Sequence, residues 1–270
     1  MIRDVTLGQY YQTDSVIHRL DPRTKIAGTF IFIITLFLAK NAWGYVIAAA
    51  FLFAVIKLSR VPFKYMVRGM KAILVLMLLT VVFNLFMTKG EIIWSFWKLS
   101  ITKEGLYGAI KMAFRLTFLI LGSSVMTLTT TPNSLTDGLE KLMGPLKKIK
   151  VPVHEIAMMM SIALRFIPIL IEETDKIMKA QMARGADFEN GNLIKRAKAL
   201  VPLLVPLLIS AFRRAGDLAM AMEARCYRGD EGRTRMKPLH YKAGDALAYA
   251  VIFGTMILCI VFGRNMWWIS

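Results

Sequence analysis

Two arginine residues in matching settings are the groups in this sequence best suited to bind a partner. They are the central residues of Ala183-Arg184-Gly185 and Ala224-Arg225-Cys226, and each tripeptide ends a long helical pattern in a basic region. A guanidinium stays charged at any working pH and holds a carboxylate through two parallel hydrogen bonds, whereas lysine offers only a point charge. Small neighbouring residues let a partner surface approach closely. The pattern predicts two similar receptors, one for each arginine.

The residue after each arginine bears on how the helix ends. Gly185 readily takes the left-handed conformation that terminates many helices, whereas Cys226 carries a side chain that makes this conformation less secure. An arginine at such a position also has a simpler use, because it can cap a helix end or extend its charge out of a membrane. The two tripeptides together, with their flanking sequences, favour docking.

Groups that would support catalysis are missing. The sequence contains no G-x-x-x-x-G-K-[ST] phosphate-binding loop, so we do not expect the chain to hydrolyse ATP. Its three histidines are far apart, and His154-Glu155 is not followed by the second histidine of a zinc-protease helix. No catalytic triad can be assembled from the scattered polar groups. We therefore predict a protein that is not an enzyme and holds no metal or cofactor of its own.

The composition predicts an all-α integral membrane protein. Of the 270 residues, 56% are hydrophobic, and the mean hydropathy is +0.51. Residues 1–21 are polar and lack the apolar region of a cleavable signal peptide. About five transmembrane helices are predicted from the apolar runs Ile26–Ala39, Ala42–Ile56, Ala72–Phe86, Phe114–Leu128 and Ala246–Phe262.

Basic residues in the short loops predict the orientation. They lie before the first apolar run and between the second and third, so the amino terminus and these loops are expected in the cytoplasm: Arg19, Arg23, Lys25, Lys57, Arg60, Lys64, Arg68 and Lys71. Five crossings then place the carboxyl terminus outside. The formal charge of +17 is compatible with nucleic-acid binding, but no nucleic-acid motif occurs and basic inner loops account for much of it.

The segment between the fourth and fifth runs mixes charged and apolar residues at helical spacing. We predict a cytoplasmic coupling module of about three helices, the last two long: Ser134 to Lys148 with Ser134 as its cap, Pro152 to Arg184, and Asn192 to Arg225. The predicted domains are residues 1–131 with four transmembrane helices, residues 132–242 with the coupling helices, and residues 243–270 with the final transmembrane helix.

Four stretches of the sequence resemble one family. They are SVIHRLDPRTK at 15–25, AQMARGADF at 180–188, LVPLLVPL at 200–207 and AMEARCYRG at 221–229. Together they resemble the transmembrane T component of energy-coupling-factor (ECF) transporters, and the resemblance covers nearly the whole chain. Cys226 departs from the pattern, because the first tripeptide has glycine at the corresponding position.

The resemblance implies an energy-coupling subunit of an ATP-driven importer in the plasma membrane of a prokaryote. Its implied partners are two ECF ATPase subunits, which bind the ATP, and a membrane-embedded S component that binds a vitamin or a transition-metal ion. A module shared among several S components for vitamins is the better expectation. The contacts to the ATPases would come from both tripeptides, with the arginines as principal contacts: Ala183, Arg184, Gly185, Ala224, Arg225 and Cys226.

A self-sufficient secondary transporter or channel is the main alternative, and a membrane enzyme is another. A secondary transporter needs ionisable residues inside the membrane and often has inverted repeats. Arg115 and Arg165 lie within or beside apolar runs and are the candidates for such a pathway, although we expect Arg115 near a helix end or facing a carboxylate. Few such residues and no clear inverted repeat favour the coupling subunit.

Overall fold

The structure, a computed structural model, describes residues 10–39, 41–88, 90–96, 99–186, 188, 193–229, 236 and 238–265. Within these residues the chain is almost entirely helical, with α1 at Pro22–Leu38, α2 at Ala42–Ser59, α3 at Phe63–Met87, α4 at Lys103–Thr129, α5 at Pro132–Leu142, α6 at Val153–Ala183, α7 at Leu193–Ala224 and α8 at Ala243–Asn265. A short antiparallel hairpin, β1 at Ile92–Phe96 and β2 at Leu99–Thr102, connects α3 to α4. The prediction of an all-α integral membrane protein is confirmed, and each predicted apolar run is helical.

Four helices in the described part of the chain are long and apolar enough to cross a membrane: Ala42–Ser59, Lys103–Thr129, Val153–Ala183 and Ala243–Phe262. Three of them correspond to predicted spans. The fourth is α6, which we expected in the coupling module, and its apolar residues are concentrated in its first half. Helix α1 has 17 residues, and α3 contributes a shorter apolar stretch at Ile73–Met87.

The described residues of 8–141 and 238–270 form one compact unit, which we call the membrane unit. Helix α4 packs against α1, α2 and α3, and α8 packs against α1 and α2. The buried core includes Phe32, Leu52 and Val125. Gly122 lets α4 approach α1, because a Cβ at this glycine would lie 2.8 Å from the Phe32 ring. Small residues at such contacts are typical of packed membrane helices.

The outer faces of the membrane helices are strongly apolar. Phe30, Phe53 and Val75 are 62%, 68% and 73% exposed, respectively. In water such a continuous apolar surface would be very unfavourable, whereas lipid chains cover it at no such cost. These faces therefore belong against the bilayer.

The amino-terminal end of α5 differs from our expectation. Ser134 was predicted to cap this helix, but its N–H donates to Thr131 Oγ1 at 3.3 Å, so Thr131 is the capping residue. Pro132 explains the shift, because proline favours the first position of a helix, where its missing N–H costs nothing. The predicted Ser134 cap is wrong by one turn.

The same helix also ends earlier than predicted. Helix α5 stops at Leu142, and a separate 3₁₀ helix follows at Gly144–Ile149 in place of the continuous helix to Lys148. Gly144 and Pro145 account for the break, since glycine disfavours a helix interior and proline removes a backbone donor. Helix α5 packs on the start of α1, where a Cβ at Gly138 would lie 3.0 Å from Ile26 Cδ1.

A buried polar cluster joins α1 to α8 within the membrane unit. Asp245 is 1% exposed, and its carboxylate accepts the backbone N–H groups of Asp21 and Lys242, each at 2.8 Å. The Asp21 carboxylate in turn caps α1 through the Arg23 N–H at 2.8 Å and pairs with the Arg23 guanidinium at 2.9 Å. These contacts tie the beginnings of α1 and α8 together.

Lys25 completes this cluster just before the first apolar run. Its ammonium donates to the carbonyl oxygens of His18 at 3.1 Å and Thr129 at 2.8 Å, so it joins the start of α1 to the end of α4. Burial lowers the pKa of the Lys25 ammonium to about 8. The stretch SVIHRLDPRTK at 15–25 thus has a structural role, because it holds the ends of three helices together.

Candidate functional site at two arginine-bearing helix ends

The described residues of 142–237 form the second compact unit, whose main elements are α6 and α7. These helices pack antiparallel, since Gln181 Nε2 donates to the Pro202 carbonyl at 3.4 Å near the end of α6 and the start of α7. The Glu173 carboxylate accepts hydrogen bonds from the Ser210 hydroxyl and, at 2.8 Å, from the Arg214 guanidinium further along α7. Both predicted long helices are confirmed with boundaries shifted by one residue.

Helix α6 ends in a Schellman motif, in which two backbone bonds close the last turn around a left-handed residue. The Gly185 N–H donates to the Met182 carbonyl and the Ala186 N–H to the Gln181 carbonyl, both at 3.0 Å. Gly185 has φ of +89°, as expected for glycine at this position. Arg184 is the capping residue between helix and turn.

Helix α7 ends in the same way. The Cys226 N–H donates to the Glu223 carbonyl at 2.9 Å, and the Tyr227 N–H donates to the Met222 carbonyl at 3.0 Å. Arg225 therefore occupies the position in its motif that Arg184 occupies in the other. The similarity of the two tripeptides thus extends from sequence to backbone geometry, and each arginine leaves its helix at the same point of the turn.

Cys226 adopts the left-handed conformation that we expected to be less secure. Its φ is +57°, in a region that costs a residue with a Cβ roughly 1–2 kcal/mol. The two closing hydrogen bonds of the motif offset this cost. We expect Cys226→Gly to stabilise the protein by about 1 kcal/mol, because glycine adopts this conformation freely.

Thermal unfolding of the purified chain measures this effect. Cys226→Ser is the matched control, because serine is close in size to cysteine and keeps the conformational cost. A higher melting temperature for Cys226→Gly alone is the expected result. Equal melting temperatures for the Gly and Ser variants would contradict the assigned strain.

Every residue of the two tripeptides is exposed: Ala183, Arg184, Gly185, Ala224, Arg225 and Cys226. Among the described residues, neither the Arg184 nor the Arg225 guanidinium forms an ion pair or a hydrogen bond. An exposed guanidinium at a fixed helix end is available for a bidentate contact with a carboxylate of another molecule. Small exposed neighbours beside each arginine leave space for such a partner.

The antiparallel packing separates the two arginines. Arg184 follows the last residue of α6, whereas Arg225 lies beside the first turns of that helix, as shown by Gly229, where a Cβ would lie 4.0 Å from Glu155 Oε1. Helix α6 has 31 residues, and a rise of 1.5 Å per residue puts the two helix ends about 40 Å apart. One small receptor cannot bind both ends at once, so the geometry suits two.

Arg115 lies in a different setting from the one predicted. It stands in the middle of α4, where its Nε donates to the Tyr45 hydroxyl at 3.1 Å and its guanidinium carbon lies 5.2 Å from the centre of the Phe37 ring. The expectation of a helix end or a carboxylate partner is wrong. Its contacts with α1 and α2 give Arg115 a packing role within the membrane unit.

The link from Glu173 to Ser210 and Arg214 was not anticipated from the sequence. Its partners are 37 and 41 positions away from Glu173, and no local pattern connects them. A charged residue in the polar half of α6 was the only available signal. The link matters for the site because it joins the two helices that carry the arginines.

The described part of the chain thus combines helices long and apolar enough to cross a membrane with a helical pair whose two ends carry matching, exposed arginines. The family model CbiQ, described as a cobalt transport protein, matches residues 13–236. The chain belongs to this family. Similar proteins are named as transmembrane proteins of energy-coupling factor transporters. The resemblance inferred from the four sequence stretches is confirmed.

The relatives match along almost their whole length. The energy-coupling factor transporter transmembrane protein EcfT of Ruminiclostridium cellulolyticum is 54% identical over 264 residues, covering 97% of this chain and 99% of the relative. The EcfT protein of Thermosediminibacter oceani is 54% identical over 266 residues, covering 98% and 100%. The EcfT protein of Bacillus subtilis is 48% identical over 259 residues, covering 96% and 97%.

Proposed function

We propose that this chain is the coupling subunit of an ATP-driven importer and links two ATPase subunits to a membrane-embedded S component. The observation that carries the proposal is the pair of exposed arginines, Arg184 and Arg225, at equivalent positions of two Schellman motifs about 40 Å apart. Each arginine docks into a groove of one ATPase and pairs with an acidic residue there. The subunit itself is not catalytic, and its partners bind the ATP.

The packing of α6 against α7 suits the transmission of force. When ATP binding closes the two ATPases, the helix ends that they hold are drawn toward each other. The hydrogen bonds of Glu173 with Ser210 and Arg214 couple α6 to α7. Displacement of the arginine-bearing end of one helix therefore moves the other helix as well. The apolar first half of α6 carries that motion to the membrane surface at which the S component is held.

In the proposed complex, the S component and not this chain selects the transported substrate. We propose uptake of a vitamin, or of a transition-metal ion, with one module serving several S components. We further propose that the protein resides in the plasma membrane of a prokaryote, with its amino terminus and the α6–α7 pair in the cytoplasm and its carboxyl terminus outside. The basic residues around α1 and between α2 and α3 support this orientation.

Affinity purification of the tagged chain from its native membrane in a mild detergent, followed by mass spectrometry, tests the proposal. Two related ATPases together with several small membrane proteins are the expected result. The purified chain alone in liposomes is the companion measurement, and it should show no gradient-driven uptake. Absence of any ATPase, or uptake by the chain alone, would overturn the assignment.

A further inference from the structure

A cavity of about 220 Å³ lies among α1, α2, α4 and α8 of the membrane unit. Its walls are almost wholly apolar and include Phe32, Leu52, Val125, Leu247 and Val251. The cavity lies at the beginning of α1 and the end of α2, which is the end of these helices that carries the basic residues. An apolar cavity at this level of a membrane protein is suited to a hydrocarbon chain.

A second, polar pocket adjoins the cavity. Val16 and Leu58 line both, and the polar pocket is completed mainly by Arg19, Lys57 and Arg60, with Asp14 as the acidic member. The two pockets therefore place an apolar space and a charged space side by side.

The polar pocket has a net positive charge. The Arg19 guanidinium is already paired with Asp14, whose carboxylate accepts its Nε–H at 2.8 Å. Lys57 and Arg60 are exposed, and neither forms an ion pair among the described residues. The pocket thus has three basic side chains and one carboxylate, which leaves a net charge of +2 beside the apolar cavity.

We propose that these two pockets bind one anionic phospholipid of the inner leaflet, with an acyl chain in the cavity and the phosphate beside Lys57 and Arg60. The positively charged pocket suits the phosphate, and the apolar cavity suits the acyl chain. The two spaces lie side by side, as the headgroup and the acyl chains of a phospholipid do. Basic pockets between membrane helices on the cytoplasmic side are typical sites for anionic headgroups. A peptide segment would need polar backbone partners, and the apolar cavity offers few.

The lipid would fill the space between helices that the buried cluster of Asp21, Lys25 and Asp245 holds together at the same end. Thr24 and Lys25 line the cavity, so the acyl chain would pack directly against the start of α1. The proposal concerns the membrane unit alone; it rests on the proposed orientation, which puts this end of the helices at the inner leaflet, but not on the docking of Arg184 and Arg225.

Titration of the purified full-length chain with defined lipids, followed by native mass spectrometry, tests the proposal. Phosphatidylglycerol and phosphatidylcholine with identical acyl chains are compared, together with glycerol 3-phosphate as a headgroup without chains. We expect the first phosphatidylglycerol to bind about tenfold or more tightly than phosphatidylcholine. Glycerol 3-phosphate should bind far more weakly, because it leaves the cavity empty. Equal affinity for the two lipids would overturn the proposal, and so would equally tight binding of glycerol 3-phosphate, which would indicate a site for phosphate alone.

Charge-removal variants locate the headgroup. Lys57→Gln combined with Arg60→Asn removes two of the three basic side chains, and asparagine tolerates the left-handed backbone of Arg60, whose φ is +54°. This variant should lose about tenfold in phosphatidylglycerol affinity and retain its phosphatidylcholine affinity. Lys64→Gln is the matched control for Lys57→Gln, because Lys64 is exposed and basic but lines neither pocket. Equal losses in Lys57→Gln and Lys64→Gln would contradict the assigned site.

A cavity-filling variant locates the acyl chain. Ala248 lines the cavity, and Ala248→Phe should lower the affinity for both lipids at least severalfold. If this variant does not fold, phosphatidylglycerols with chains of increasing length provide the second measurement. Their affinity should rise with chain length until the cavity is filled, whereas an affinity independent of chain length would overturn this part of the proposal.

Discussion

Replacement of both Arg184 and Arg225 by alanine is expected to abolish transport while the protein remains inserted in the membrane. Truncating one side of a buried, hydrogen-bonded charge pair costs about 2–5 kcal/mol, which corresponds to roughly 30-fold to more than 1,000-fold in affinity. Because the two helix ends lie about 40 Å apart and are proposed to bind separate ATPases, each single variant should lose one contact. The measurement is substrate uptake in cells together with recovery of the ATPases on the tagged chain.

Two further variants distinguish docking from a general effect of charge. Lys179→Ala removes an exposed positive charge from α6 one turn before the cap, and it should leave uptake unchanged. Arg184→Lys keeps the charge but not the planar fork, so it should lose most of the function of that contact. Near-normal uptake in both single variants and in the double variant would eliminate the docking role. Loss of uptake with full recovery of the ATPases would show that the arginines act in a step of transport after the ATPases have bound.

Asp245→Ala is expected to destabilise the membrane unit strongly. The Asp245 carboxylate is 1% exposed and accepts two backbone N–H groups, from Asp21 and Lys242. Its removal leaves both donors without this acceptor, and because the Asp21 N–H is buried and the Lys242 N–H is partly buried, the combined cost is about 2–3 kcal/mol. The apparent melting temperature of the purified chain should fall by about 5–10 °C. The connection between α1 and α8 would be lost first.

Two controls separate this effect from a loss of negative charge. Asp245→Asn keeps one acceptor oxygen and the shape of the side chain, so its effect should be smaller than that of alanine. Asp14→Ala removes an aspartate whose ion pair with Arg19 is exposed, with side-chain exposures of 70% and 73%, and should change the melting temperature little. Similar melting temperatures for Asp245→Ala and Asp14→Ala would show that the buried hydrogen bonds of Asp245 contribute no more to stability than the exposed ion pair of Asp14.

The backbone conformation at the two helix ends was only half predictable. Glycine at 185 predicts a left-handed end, because the absence of a Cβ makes that conformation accessible. Cysteine at 226 makes that conformation less secure, yet the structure has φ of +57° there. The hydrogen bonds of the Schellman motif outweigh the local preference of the cysteine. The ends of α5 were readable in principle, since Pro132, Gly144 and Pro145 are in the sequence and act locally.

The sequence by itself determined the helices, the membrane character, the two arginine tripeptides and the family. These depend on composition and on patterns within a few turns of helix, and α6 and α7 accordingly begin and end within one residue of the predicted positions. Only the tertiary structure decided which distant residues meet. Asp21 and Asp245 are 224 positions apart, and the antiparallel packing of α6 and α7 sets the distance between the arginines. Such contacts depend on how whole helices pack, and no local preference of the chain encodes that packing.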